Sequence, residues 1–99
     1  MRWFAFVAVA IATLVPAAGL RAAKLTGEIR DAATGQPLAA RLYIHSHAGQ
    51  WFFARSADKE GQAVEYRKQR GDKSVEMHTT LSAHPFVAEL LPAKYTLTV

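Results

Sequence analysis

The stretch Lys24–His45 (KLTGEIRDAATGQPLAARLYIH) decides the fold of this chain. Its first part, Lys24–Arg30, alternates apolar and polar residues with the two-residue period of a half-buried β-strand. Its middle part, Asp31–Pro37, has the aspartate, glycine and proline that favour a turn. Its last part, Leu38–His45, alternates again and places two aliphatic side chains on one face. The stretch therefore predicts two strands joined by a turn.

Short alternating runs separated by turn residues continue towards the end of the chain. No long run with a 3.6-residue apolar period follows Pro16, so no helix is predicted after it. Several short strands at regular spacing are typical of an antiparallel sandwich, and we predict a small all-β domain of that class. The charged stretch Arg67–Ser74 is predicted to be a loop. The further predicted strands are Trp51–Arg55, Ala63–Tyr66, Val75–Leu81, Phe86–Leu90 and Tyr95–Val99.

The beginning of the chain has the three parts of a secretory signal peptide. Arg2 supplies a positive charge, Trp3–Val15 is an uncharged apolar run, and small residues such as Ala17 and Gly19 follow. The apolar run is shorter than the roughly 20 residues that a membrane-spanning helix needs. We therefore predict a helical signal peptide over residues 1–23 and Sec-type export to the periplasm or the extracellular space. Contact with the membrane is expected only during export.

The remaining residues, 24–99, are predicted to form one small domain. Loss of Arg2 and Arg21 with the leader lowers the twelve Lys and Arg to ten, against eight Asp and Glu, so the net charge falls from +4 to +2. This mild charge and the predicted export argue against a nucleic-acid partner. The last predicted strand ends on the apolar Val99, and the chain has no cysteine for a disulfide. We therefore interpret the domain as truncated at its carboxyl-terminal end and as the front part of a longer protein.

No group of residues in the sequence completes a catalytic or metal-binding motif. His45 and His47 would point the same way on a strand, as two metal ligands do, but further ligands would have to come from distant positions. The candidates for those positions are His78, His84, Glu76 and Asp72. No serine lies in the G-x-S-x-G context of a nucleophile elbow. We therefore predict a non-enzymatic domain without catalytic residues, metal or cofactor.

Three consecutive aromatic residues, Trp51, Phe52 and Phe53, begin the third predicted strand. Because side chains alternate along a strand, Trp51 and Phe53 share one face and Phe52 takes the other. Three interpretations remain open for Trp51 and Phe53: burial in the sandwich, an interface with another domain, or a flat aromatic surface for sugar rings. These two residues are the candidate ligand or interface surface of the sequence.

Two motifs that bracket residues 24–99 resemble those of carboxypeptidase regulatory-like domains. The first is Leu25–Asp31 (LTGEIRD) followed by Thr34–Leu38 (TGQPL), which is similar to the family's G-x-V-x-D and T-G-x-P-L elements. The second is Leu91–Val99 (LPAKYTLTV), which is similar to L-P-x-G-x-Y-x-L-x-V, with Ala93 where the family has glycine. The resemblance implies a prealbumin-like (transthyretin-like) or immunoglobulin-like Greek-key sandwich, a fold shared with carbohydrate-binding modules.

The middle of the chain is similar to the leading domain of bacterial exported metallohydrolases of the CehA/McbA type. The similar segments are Ala40–Ile44, Trp51–Ala54, Ser74–Thr80 and Ala83–Phe86. In those proteins such a sandwich precedes a metal-dependent hydrolase domain, whose metal-binding motifs are absent from this sequence. The resemblance therefore implies a non-catalytic accessory or docking module, partnered by a downstream catalytic domain or another exported protein. The alternative is a stand-alone carbohydrate- or cell-wall-binding module.

Overall fold

The fold is taken from a computed structural model, which describes residues 8–15, 22–71 and 73–99. These described residues form nine antiparallel β-strands and no helix, so the predicted all-β fold is confirmed. They contain no helix that is long and apolar enough to span a membrane. In chain order the strands are β1 (Ala8–Val15), β2 (Ala23–Asp31), β3 (Ala40–Ser46), β4 (Trp51–Phe52), β5 (Arg55–Ser56), β6 (Ala63–Arg70), β7 (Ser74–Leu81), β8 (Phe86–Leu90) and β9 (Tyr95–Thr98).

The first sheet has the strand order β1-β2-β8-β5, with every pair antiparallel. The alternation predicted for β2 is confirmed, because Leu25 and Ile29 are buried while Lys24 is exposed. The predicted turn after β2 is also confirmed, since Gly35 adopts a φ of 75° that side chains with a Cβ disfavour. At the start of that turn, Asp31 Oδ1 accepts a hydrogen bond from the Ala33 amide at 2.8 Å.

The predicted signal-peptide helix falls mostly outside the described residues, which do not include 1–7 and 16–21. Ala8–Val15, which belongs to the predicted apolar run, is described as a strand at the edge of the first sheet. It pairs antiparallel with Lys24–Asp31 of β2 along its whole length. Over these eight residues the structure has a strand where the sequence predicts helix, because the segment satisfies the backbone groups at the edge of β2.

The second sheet has the strand order β4-β3-β7-β6, and β9 also pairs with β3. In this sheet β6 and β7 form a long hairpin in which every residue of one strand has a partner in the other. The prediction of a loop over Arg67–Ser74 is therefore wrong, since β6 continues to Arg70. β6 is exposed on both faces after Ala63, so no apolar alternation marks it as a strand.

The third predicted strand, Trp51–Arg55, is divided between the two sheets. Its first part, Trp51–Phe52, pairs with β3, and the later Arg55–Ser56 pairs with β8. Ala54 lies between the two parts and is 5% exposed, and its N–H donates to Thr79 Oγ1 at 2.9 Å. The chain thus passes from one sheet to the other through the core, where a threonine hydroxyl satisfies the buried amide.

The core lies between the two sheets and is built from their inward-facing side chains, as expected for a sandwich. The predicted alternation of β3 is confirmed, because Leu42 and Ile44 are fully buried. The alternate residues of β3, such as Tyr43 between these two, therefore project from the opposite side of the second sheet, which we call the outer face. The largest fully buried side chains of the described residues are Phe86, Leu42, Ile44 and Thr79.

Candidate ligand-binding face

Three strands of the second sheet place polar and aromatic side chains on the outer face. Leu42 of β3 pairs with the buried Thr79 of β7, so the neighbouring pair Arg41 and Thr80 points outward. In the hairpin, Tyr66 lies opposite His78. The same alternation then fixes all outer-face positions on these strands. They are Arg41, Tyr43 and His45 on β3, Ser74, Glu76, His78 and Thr80 on β7, and Val64, Tyr66, Lys68 and Arg70 on β6.

An open groove of about 360 Å³ lies at one side of the outer face, and we call it the aromatic groove. The imidazole of His45 and the indole of Trp51 are stacked there, with ring centroids 4.1 Å apart and planes 19° from parallel. This stacking follows from the register, because His45 and Trp51 are directly paired between β3 and β4. The indole is thus held in one orientation. The lining residues of the groove are Tyr43, His45, Trp51, Thr96 and Thr98.

The structure separates the two candidate residues of the sequence, Trp51 and Phe53. Trp51 lines the aromatic groove, whereas the guanidinium carbon of Arg67 lies 4.2 Å from the ring centroid of Phe53. Such a contact is a cation–π interaction. Phe52, between them, packs against the core and meets the ring of Tyr95 edge-on at 5.5 Å. The groove is completed by β3 and β9 rather than by Phe53.

Glu76 accepts two hydrogen bonds at one carboxylate oxygen on the outer face. The Tyr43 hydroxyl donates to Oε2 at 2.5 Å, and Nδ1 of His78 lies 2.7 Å from the same oxygen. Both hydrogen bonds lower the pKa of Glu76, and the bond from Tyr43 has the larger effect. The bond between Tyr43 and Glu76 also raises the pKa of Tyr43. Because an ionised carboxylate only accepts, Nδ1 of His78 is the protonated nitrogen of this bond.

His78 is enclosed by aromatic rings although it belongs to the outer face. Its side chain is 5% exposed, and its ring is stacked on Tyr66 at 5.0 Å with planes 19° apart. The ring centroid of Tyr43, on β3, lies 5.4 Å from that of His78. His78 is therefore fixed by two tyrosines and a carboxylate.

A second groove of about 530 Å³ adjoins the aromatic groove, and we call it the cationic groove. Arg41, Lys68 and Arg70 contribute three positive charges to it, and Glu76 is the one carboxylate among its described lining residues. None of these three cations takes part in the ion pairs found among the described residues. The complete lining is Arg41, Tyr66, Lys68, Arg70, Ser74, Glu76, His78 and Thr80.

The histidines considered as metal ligands are separated in the structure. His47 follows β3 in a turn, where its amide donates to the Lys94 carbonyl, and His84 is bonded to Ser82 Oγ at 2.9 Å. Within residues 8–15, 22–71 and 73–99 no group of three or more His, Cys, Asp or Glu could hold a metal ion. Asp72, another candidate ligand, lies outside the described residues.

The Glu76–His78 pair has the geometry with which a carboxylate orients a general base. In the described part of the chain, however, no hydroxyl or thiol is hydrogen-bonded to His78 as a nucleophile would be. The arrangement offers a ligand flat rings, hydroxyl groups and cations.

Comparison with known proteins adds no relative to these observations. No protein-family model, no curated protein and no solved structure matches this chain. The outer face is therefore interpreted from its own geometry.

Sequence reasoning missed most of the outer face. The alternating Arg41, Tyr43 and His45 were a usable signal, since the buried residues between them fix their side of the strand. Nothing in the sequence gives the register that places Glu76 and Tyr66 beside them, because register depends on the folded hairpin.

Proposed function

We propose that this protein is an exported, non-catalytic β-sandwich module that binds a saccharide in the aromatic groove of its outer face. The observation that supports this most is the indole of Trp51, which is stacked on His45 and lines a groove of about 360 Å³. The apolar face of a pyranose ring packs well on such a flat, fixed ring. The groove also falls within the range of about 300–1,000 Å³ that small-molecule sites occupy.

The polar residues around Trp51 suit the hydroxyl groups of a sugar. Thr96 and Thr98 are exposed on β9, and each hydroxyl both donates and accepts hydrogen bonds. The Tyr43 hydroxyl donates to Glu76, so its remaining capacity is to accept from a ligand. An aromatic ring flanked by such groups is a common composition for a specific small-molecule site.

The resemblance to carboxypeptidase regulatory-like domains is part of the same proposal. It is supported by the turn at Gly35 and by the closing motif, where the Tyr95 hydroxyl donates to the Leu91 carbonyl at 2.6 Å. A tyrosine tied to a nearby backbone carbonyl stabilises strand connections in Greek-key sandwiches. In this view the module is the leading part of a larger exported metal-dependent hydrolase and brings that enzyme to a glycan.

A binding experiment with two matched variants tests the saccharide proposal. The purified protein is run through native gels that contain soluble polysaccharides, and retardation gives the affinity. Trp51→Ala should weaken binding about ten-fold or more, because it removes the stacking surface. Leu91→Ala, at a residue that is 59% exposed outside both grooves, should bind as the original protein does.

The proposal fails if no polysaccharide retards the protein, or if Trp51→Ala and Leu91→Ala bind equally well. Trp51→Phe provides a further control, because it retains a smaller ring in the groove. Its affinity should lie between those of the original protein and Trp51→Ala. Either failure would favour docking of the outer face on another protein domain.

A further inference from the structure

We infer that the ligand is an anionic glycan, whose sugar rings stack in the aromatic groove and whose carboxylates contact Arg41, Lys68 and Arg70 in the cationic groove. This inference rests on the proposed function and adds the charge of the ligand to it.

Three cations and one carboxylate line the cationic groove, so its described residues carry a net positive charge. Lys68 and Arg70 are exposed on β6, away from the ion pair that Arg67 makes with Glu65. Glu76 lies directly opposite Lys68 in the hairpin, but Oε2 of its carboxylate already accepts hydrogen bonds from Tyr43 and His78. A row of cations on one sheet face raises the local concentration of anions. The charge therefore favours an acidic ligand over a neutral one.

The two grooves have no described lining residue in common, but a hydrogen bond connects them. The ring of Tyr43 lines the aromatic groove, and its hydroxyl is bonded to Glu76, which lines the cationic groove. From β3 across β7 to β6 is two strand spacings, or about 10 Å. A single sugar ring that stacks on Trp51 is too short to reach the cations of β6 as well. The outer face therefore fits a chain of several sugar units.

Carboxylates suit these particular cations. Arg41 and Arg70 each present a planar fork of N–H donors that matches the two oxygens of a carboxylate. Nucleic acid is the other polyanion with flat rings, but proteins that bind it are usually strongly basic, and this chain without its predicted leader has a net charge of +2. An acidic polysaccharide outside the cell agrees with both the charge and the predicted export.

The test compares an acidic polysaccharide with its own neutral form. The probes are polygalacturonate and methyl-esterified polygalacturonate, which differ in the charge of the carboxyl group. The purified full chain should bind the free acid about ten-fold more tightly at low salt, and this preference should shrink as salt rises. Equal affinity for both forms at low salt overturns the inference.

Two double variants test whether the preference for the free acid comes from the cationic groove. Lys68→Gln/Arg70→Gln should lose most of the preference for the free acid while its binding of the ester stays the same. The matched control, Lys24→Gln/Lys59→Gln, removes the same charge at exposed residues of β2 and of the loop before β6, and should keep the preference. Equal loss in both double variants would mean that overall charge acts, which overturns the inference.

Trp51→Ala separates this inference from the proposed function. If it weakens binding of both the acid and the ester, the saccharide proposal holds, and the charge variants decide the inference. If it weakens neither, the saccharide proposal fails even where the charge variants have an effect. Double-stranded DNA and phosphatidylglycerol vesicles are run in parallel. Tighter binding of either one than of polygalacturonate, lost in Lys68→Gln/Arg70→Gln, overturns the inference in favour of that polyanion.

Discussion

The hydroxyl of Tyr43 donates a 2.5 Å hydrogen bond to Oε2 of Glu76 and so connects β3 to β7 across the outer face. The same oxygen also accepts a hydrogen bond from Nδ1 of His78. Tyr43 belongs to the lining of the aromatic groove. One carboxylate therefore sets the positions of a ring in the aromatic groove and of a ring in the cationic groove. Its ionisation should influence both stability and binding.

The first prediction concerns the dependence of stability on pH. The pKa of Glu76 is lowered from 4.5, so its contribution is complete above about pH 4.5 and is lost as pH falls through the lower folded value. The pKa of Tyr43 is raised from 10.0, so its contribution is complete below about pH 10 and is lost as pH rises further. Glu76→Gln should therefore melt below the original protein at neutral pH, and the difference should shrink in acid.

Thermal melting at a series of pH values measures this difference. Glu60→Gln, at an exposed loop residue outside the ion pairs of the described chain, is the matched control and should leave the acid limb of the curve unchanged. A gap between Glu76→Gln and the original protein that stays constant down to acid pH would show that the ionised carboxylate is unimportant.

A second prediction concerns the buried threonine at the point where the chain changes sheets. Thr79→Val retains the shape of the side chain but removes the oxygen that accepts from the Ala54 N–H at 2.9 Å. An unsatisfied buried amide costs about 1–3 kcal/mol, so the free energy of unfolding should fall by that amount. Thr80→Val, at the exposed next residue of β7, should change it by less than about 0.5 kcal/mol. Equal effects in denaturant titrations would contradict the assigned role of the Thr79 hydroxyl.

A third prediction concerns Gly61, which lies in a close contact between two loops. A Cβ at this position would overlap Ser56 Oγ and lie 2.8 Å from Cβ of His84. Gly61→Ala should destabilise the protein by about 1–3 kcal/mol through overpacking, and each kcal/mol should lower the Tm by about 4–8 °C. Gln62→Ala, at an exposed neighbour, is the control and should melt within a few degrees of the original. An unchanged Tm for Gly61→Ala would contradict this packing.

A fourth prediction concerns export. Expressed with its own leader in a bacterium, the protein should be found outside the cytoplasm with an amino terminus between Ala18 and Lys24. Intact mass and amino-terminal sequencing of the periplasmic and extracellular fractions give that terminus. Cleavage there should remove Ala8–Val15, and the side of β2 that pairs with it should then become a sheet edge. A soluble cytoplasmic product that retains Met1 would contradict the export prediction.

The sequence predicted the elements in which one face is buried. β2 and β3 alternate between core and surface. β8 is buried at every residue except Glu89, and its predicted bounds, Phe86–Leu90, are those of the structure. β6 was predicted only to Tyr66, because its side chains are exposed on both faces and leave no apolar period. The crossing at Ala54 was also missed, since it depends on a hydroxyl of a distant strand.

The candidate site was predicted only in part for a related reason. Trp51 was a candidate because three consecutive aromatic residues on one strand cannot all face the same side. Its neighbours Tyr43 and His45 come from β3, and Glu76 and Tyr66 come from a hairpin whose register the sequence does not contain. Phe53 was expected beside Trp51, but β4 ends before it, and its ring is in contact with Arg67.

The central claim, that an acidic glycan binds across both grooves, is tested most directly by an NMR titration of the ¹⁵N-labelled protein with polygalacturonate. The account predicts that the indole N–H signal of Trp51 shifts together with amides of β3, β6 and β7. Trp3 is the one other tryptophan of the chain, and Trp3→Phe assigns the two indole signals. Shifts confined to the first sheet, or no shift of the Trp51 indole at saturating ligand, would contradict the claim.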